Sequence, residues 1–181
     1  EQYLGQLHFL DKEIGKVTTY LKENNLYENT IIMFISDNGG STPIYANNTP
    51  YSGSKYTLYE GGIRVPFIVS YPNKFQKGIT SKNLISSMDA LPTLCKAAGI
   101  EIPKNIDGKD ITELLVGTNN SIEHDFLVWE NNGQTAVRKG KWKLRTANDK
   151  AKANSVNEMV KMEYGEYLYD LYKRAYTPWE W

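Results

Sequence analysis

At 181 residues, the chain is long enough for one domain with a sizeable core or for a large piece of a bigger one. Lysine plus arginine equals aspartate plus glutamate at 21 each, so no net field argues for nucleic acid or a membrane surface as partner. A single cysteine excludes an intramolecular disulfide framework, and no apolar run is long enough to read as a membrane span.

Leu7, Leu10, Ile14, Val17 and Leu21 recur at three- and four-residue spacing, which predicts an amphipathic helix over the first two dozen residues, closed by Asn24-Asn25. A strand follows at 30–36, then a loop at 37–59 rich in Asn, Thr, Ser, Gly and Pro. Loops of that length without their own structure are usually functional or disordered. The apolar run 65–71, stopped by Pro72, is the next strand. Residues 87–98 form a helix ended by Gly99, a natural left-handed stop, and 110–116 a short helix. From Phe126 the character changes. Runs at 126–129, 134–138 and 141–145, separated by Asn-Asn-Gly and Lys-Gly turns, predict an antiparallel meander. A helix at 151–162 and a final strand at 167–172 complete the chain. There is no internal repeat. The pattern is α/β followed by a small antiparallel α+β subdomain, divided as 1–122 and 123–181.

The chemistry concentrates in two segments. The apolar run Ile31-Ile-Met-Phe-Ile35 ends in Ser36-Asp37-Asn38 and two glycines. It reads as a buried strand whose end delivers a carboxylate and an amide oxygen into a crevice, a donor pair suited to a hard cation such as Ca²⁺ or Mg²⁺. The second segment places Lys55 on a Gly/Ser-flanked turn, then a Glu60-Gly61-Gly62 corner, then another strand. Together they suit an oxyanion.

Ser36-Asp-Asn-Gly-Gly40, followed by G-S-K-x-x-x-x-E-G-G-x-R-V-P over 53–66, resembles the C-terminal half of the type I sulfatases, the formylglycine-dependent sulfate ester hydrolases. The resemblance extends to Leu10-Asp-Lys-Glu-Ile-Gly15 upstream. Downstream it takes in Ser87-Met-Asp-Ala-Leu-Pro-Thr-Leu94, Ala98-Gly99, Ile106-Asp-Gly-Lys109, Val137-Arg-Lys-Gly-Lys-Trp-Lys-Leu144 and Leu168-Tyr-Asp-Leu171. The order and spacing of these independent segments carry it. The resemblance implies an alkaline-phosphatase-like α/β sandwich with a small C-terminal antiparallel subdomain. It implies Ca²⁺ as cofactor, held in part by Asp37 and Asn38, and Lys55 as the catalytic, sulfate-binding lysine. The substrate class would be a sulfated sugar, a glycosaminoglycan or an aryl sulfate, and the compartment periplasmic, secreted or lysosomal.

The family's C/S-x-P-x-R nucleophile motif, its Asp pair and its catalytic histidines have no counterpart here; Cys95 lacks the proline and arginine offsets. The chain opens at Glu1 inside a helix. The expectation is a C-terminal portion, inactive alone, whose partner is the N-terminal half of the same protein. After Leu171 the resemblance fails, and Trp179 and Trp181 would form an apolar patch if exposed.

Each residue also has a plainer reading. Asp37 and Asn38 suit a turn, and Lys55 alone would be a solvated lysine. Glu60 and Arg64 suggest a local ion pair bracing the corner, and Gly61 and Gly62 a sharp turn or close approach. His8 reads as a packed or surface histidine, and His124 lacks a partner pattern. Asp11 and Asp89 read as structural, and Cys95 as a small buried residue. Arg138, Lys141 and Lys143 read as an anion patch or a solvated strand face. Asn47 and Asn119 begin Asn-x-Ser/Thr triplets of little weight. Two other functions stay open: a related metal-dependent phosphoester or phosphonate hydrolase, and a non-catalytic module of the same fold.

Overall fold

A computed structural model describes residues 2–119, 121–122 and 124–146, and the backbone of a strand at 166–170. The expected helix at 151–162 and the aromatic tail 172–181 lie outside the described residues. The chain forms two compact units, one of Glu1–Ile35 with Pro66–His124, the other of Ser36–Val65 with Asp125–Trp181. The second unit thus takes in the loop 36–65, which the sequence pattern grouped with 1–122.

In the first unit, helix α1 runs Gln2–Glu23, and Asn25 in the left-handed region (φ +57°) turns the chain out of it. Strands β1 (Ile32–Ile35) and β2 (Phe67–Ser70) pair antiparallel, Ile32 opposite Ser70 and Ile35 opposite Phe67. They form a two-stranded sheet with no further neighbour among the described residues. The expectation of a buried strand at 30–36 is therefore corrected. Both faces of this ribbon keep solvent access, with Phe34 and Ile68 exposed, because no layer among the described residues covers them.

A 3₁₀ turn at Ser87–Asp89 leads into helix α3 (Ala90–Ala98). The N-terminal turn is closed by a capping box between Ser86 and Asp89, and the helix ends at Gly99, φ +70°. Helix α4 (Thr112–Val116) ends likewise at Gly117, φ +86°. The core of this unit is small: Tyr71, Phe75, Leu84, Ile111 and Leu114 are buried, with Tyr71 and Phe75 edge to face at 5.3 Å. Every residue of α1, by contrast, retains solvent contact.

The second unit joins the loop 36–65 to an antiparallel meander. Its loop holds a 3₁₀ turn (Thr42–Ile44) and a single-turn helix α2 (Glu60–Ile63). Strands β3 (Leu127–Asn131), β4 (Gln134–Lys139), β5 (Trp142–Thr146) and β6 (Glu166–Asp170) lie in that order. The register puts Leu127 opposite Arg138, Val137 opposite Leu144 and Leu144 opposite Leu168. Two tight turns, at Asn132-Gly133 and Gly140-Lys141, set it; Asn132, Gly133 and Gly140 all have positive φ, as primed hairpin turns require. The buried set of this unit is unusually polar: Ser54, Gln134, Lys143 and Arg145 accompany Ala46, Leu58, Leu127 and Ala136. No helix among the described residues is long and apolar enough to cross a membrane.

Candidate functional site: the Lys55 loop

Asp37 and Asn38 follow β1 in sequence and form a compact pair. Asp37 Oδ1 accepts from the Asn38 backbone amide at 3.0 Å and from Asn38 Nδ2 at 2.7 Å, while Ser36 Oγ donates to the Asn38 carbonyl at 2.9 Å. Asp37 is exposed and Asn38 half-buried. With its amide nitrogen donating to Asp37, Asn38 keeps its side-chain oxygen as a neutral acceptor. Two hard oxygen donors side by side fit part of a calcium shell. They fall short of the six to eight ligands calcium usually takes, and no group of three or more His, Cys, Asp or Glu converges among the described residues.

The next residues bind this pair to the lysine loop through backbone. Gly39 N donates to the Gly62 carbonyl at 2.8 Å, Lys55 N to the Gly40 carbonyl at 3.1 Å, and Gly61 N to the Ser52 carbonyl at 2.7 Å. The glycines are required. A Cβ on Gly39 would overlap the Gly61 carbonyl oxygen, one on Gly62 the Thr57 carbonyl, and one on Gly61 would lie 2.7 Å from the Ser52 oxygen. The close-approach reading of Gly61 and Gly62 thus has its partners, Ser52, Gly53 and Thr57. Sequence reasoning missed Asn48, whose side chain accepts from Gly40 N at 2.8 Å and donates to the carbonyls of Gly40 and Gly53. It is the clasp that closes the loop on itself, and nothing in Asn47-Asn48-Thr49 distinguishes it from any other loop asparagine. Thr57 clasps from the other side, its hydroxyl shared between Ser54 N and the Ser54 carbonyl.

Lys55 stands half-buried on this frame. Its ammonium lies 5.3 Å from the ring centroid of Tyr56, which is exposed and held at φ +74°. Among the described residues the ammonium meets no carboxylate at ion-pair distance. Without such a partner among the described residues, its charge suits the binding of an anion. The Tyr56 carbonyl accepts from Asn131 Nδ2 at 3.2 Å, which brings the β3–β4 turn to the loop.

Glu60 does more than brace the corner. The Arg64 contact is long, 3.8 Å, and Arg64 instead lies over the Tyr51 ring at 4.5 Å. The close partners are Lys143, 2.9 Å from Glu60 Oε1, and Arg138, 3.3 Å from Oε2. Lys143 is buried and Arg138 nearly so, which overturns both the solvated-face and the open anion-patch readings for these two. The physical reason is register: alternate residues of β4 and β5 face inward, and these two face the Glu60 corner. Burial pushes the Lys143 ammonium below its ordinary 10.5; Glu60 opposes the shift, and Arg138 and Arg145 add to it. Arg145, also buried, reaches Tyr59 Oη at 2.9 Å and stacks on that ring at 4.2 Å. Lys141 remains exposed, over Trp142 at 4.9 Å.

The remaining candidates lie in the first unit. His124 has a partner after all: its Nε2 lies 2.7 Å from Oδ1 of the fully buried Asp89. Asp89 also accepts from the amides of Ser86 and Lys109, both at 2.8 Å. Three segments are tied at one carboxylate, so Asp89 is structural, as its sequence position suggests, and His124 with it. Cys95 is half-buried rather than buried, on the flank of α3. His8 and Asp11 sit exposed on α1.

Comparison with known proteins follows the same residues. The sulfatase family model matches residues 1–100, and the model of the C-terminal region of N-sulphoglucosamine sulphohydrolase matches 53–173. Mouse arylsulfatase J is 35% identical over 169 residues, covering 81% of this chain and 28% of its own length. Human arylsulfatase A is 36% identical over 144 residues, 74% of this chain and 28% of its own. The chain thus spans little more than a quarter of these relatives. Among solved structures, Ps i-CgsB in complex with k-i-k-neocarrahexaose superposes with a TM-score of 0.78 at 28% identity, over 94% of this chain and 36% of that one. The fold is the α/β architecture of the alkaline-phosphatase-like superfamily, matched over a C-terminal part. With more than half its length matched by the family model, and the Asp37-Asn38 and Lys55 segments inside that match, the chain belongs to the sulfatase family.

Proposed function

We propose that this chain is the C-terminal portion of a sulfatase that hydrolyses sulfate esters, a sulfated sugar or an aryl sulfate, to an alcohol or phenol and inorganic sulfate. Residues 1–122 would be the C-terminal part of the catalytic domain and 123–181 its antiparallel subdomain. The observation that carries the reading is a half-buried lysine with no carboxylate partner among the described residues, pinned by backbone to the segment bearing Asp37 and Asn38.

In this reading Lys55 donates to a sulfate oxygen and offsets the negative charge that gathers on the leaving oxygen as the S–O bond breaks. Asp37 and Asn38 would hold part of a calcium shell. Bound calcium would supply positive charge at the sulfate and favour the ionised nucleophile. The neutral oxygen of Asn38 ligates without adding negative charge beside an anionic substrate. The nucleophile, a formylglycine hydrate in the resembling family, and the other ligands would come from the N-terminal half of the protein. The 181 residues alone would then be inactive. An extracytoplasmic compartment goes with this reading on family membership alone.

The test is kinetic. In the full-length protein, Lys55→Ala is expected to lower kcat/KM for p-nitrophenyl sulfate by roughly 100-fold or more, the loss typical of removing one oxyanion donor. Near-normal turnover by the variant would remove Lys55 from the site. Preferential hydrolysis of p-nitrophenyl phosphate by the wild type would move the protein to phosphoester chemistry.

A further inference from the structure

We propose that Glu60 is a positioning residue: its buried ion pairs with Lys143 and Arg138 fix the loop that carries Lys55. The inference rests on the reading of Lys55 as the sulfate-binding lysine. It adds that the C-terminal meander, through β4 and β5, holds that lysine in place.

Glu60 occupies a junction. Its carboxylate reaches Lys143 of β5 at 2.9 Å and Arg138 of β4 at 3.3 Å, and it is itself nearly buried. The two residues after it hold both flanks of the site through backbone: Gly61 N on the Ser52 carbonyl, and the Gly62 carbonyl on Gly39 N. The first flank leads through Gly53 and Ser54 to Lys55, and the second leads back to Asn38 and Asp37. The contacts of Gly39, Gly61 and Gly62 are backbone on backbone, with no room for a Cβ, so a displacement of α2 passes to its neighbours with little slack.

A buried ion pair is a poor choice for stability alone, since a well-packed apolar pair of similar volume does as well or better. What charges and directed hydrogen bonds add is a single register: the carboxylate has one place where both cations reach it. Lys143, 3% exposed at its side chain, has no water to fall back on if Glu60 moves. Displacements of about 1 Å at a catalytic group are enough to lower rates roughly 100-fold.

The test is a double-mutant cycle in the full-length protein with p-nitrophenyl sulfate: wild type, Glu60→Gln, Lys55→Ala and the pair. Glu60→Gln keeps the shape and loses the charge. The expected result is a roughly 10-fold or greater fall in kcat/KM for Glu60→Gln. In the Lys55→Ala background the same change should then have little effect, within roughly threefold. A purely structural role would lower the active fraction by the same factor in both backgrounds, so losses that multiply overturn the proposal. Wild-type kinetics for Glu60→Gln would also overturn it. If Lys55→Ala is itself harmless, the functional reading falls and takes this inference with it, an outcome distinct from multiplying losses. Should Glu60→Gln not fold, Arg138→Gln, which removes the partner at the rim of the cluster, runs the same cycle and is judged by the same two patterns.

Discussion

Lys143 shows how a single side chain can be read for its sign as well as its contacts. Burial disfavours its charged form, and the cations Arg138 and Arg145 push the same way, while the Glu60 carboxylate pulls back; the net direction is down from 10.5. In the unfolded chain the lysine holds its proton up to that ordinary value. The folded chain gives the proton up earlier, so within the window just below 10.5 the unfolded state binds more protons. Stability contributed by this group therefore rises with pH across the window and is flat above it. The measurement is urea unfolding at intervals from pH 7 to 10.5 for wild type and Lys143→Met. The wild-type free energy, less that of the variant, should climb as pH rises. A difference that stays flat over this range would mean that burial does not lower the lysine, since a group raised by Glu60 would lose its contribution only above 10.5.

At the scale of elements, what was legible in the sequence follows from how local each signal is. The 3.6-residue recurrence from Leu7 to Leu21 gives α1, and Gly99 marks the end of α3 within one residue of expectation. Asn132-Gly133 and Gly140 place the meander's turns. The motif around Lys55 is contiguous, so its residues stood out together. What was not legible is what spans distance. Glu60 meets Lys143 83 residues later, and no pattern in either segment names the other. Likewise the Asp89–His124 contact bridges 35 residues. Burial of β1 was misjudged because an apolar run reports the tendency of a strand to be covered, and the described residues do not supply the cover. The tightness of the glycine corner is testable at this scale. Gly62→Ala would drive a Cβ into the Thr57 carbonyl and to 2.6 Å from the Ser54 oxygen. It should destabilise by about 3 kcal/mol in chemical denaturation, the upper end for overpacking. Gly15→Ala, in the interior of α1 with nothing within 4 Å, should instead stabilise by about 1 kcal/mol. Equal effects at the two sites would show that the corner can relax, and would weaken the rigid coupling argued for Glu60.

For the whole molecule, the distribution of apolar surface carries the argument. Leu4, Leu7, Phe9, Leu10, Ile14, Val17 and Tyr20 are all exposed on α1, and Phe34 and Ile68 on the β1–β2 ribbon of the same unit. A helix with this periodicity ordinarily buries its apolar face, and most helical stability in proteins comes from that burial rather than from propensity. Here the periodic face has no cover among the described residues, while the relatives of the chain extend to more than three times the length it matches. An apolar face of this kind on a chain in water drives association with whatever apolar surface is offered. The 181-residue chain, produced alone, should therefore bind a dye such as 1-anilinonaphthalene-8-sulfonate and elute above its 20.6 kDa mass on size exclusion with light scattering. Leu7→Lys with Ile14→Lys, two changes on the exposed face, should reduce both signals while leaving the meander intact by far-ultraviolet circular dichroism. If the unmodified chain is instead a monomer that leaves the dye dark, α1 is not an interface, and the expectation that an N-terminal half completes this protein loses its main physical support.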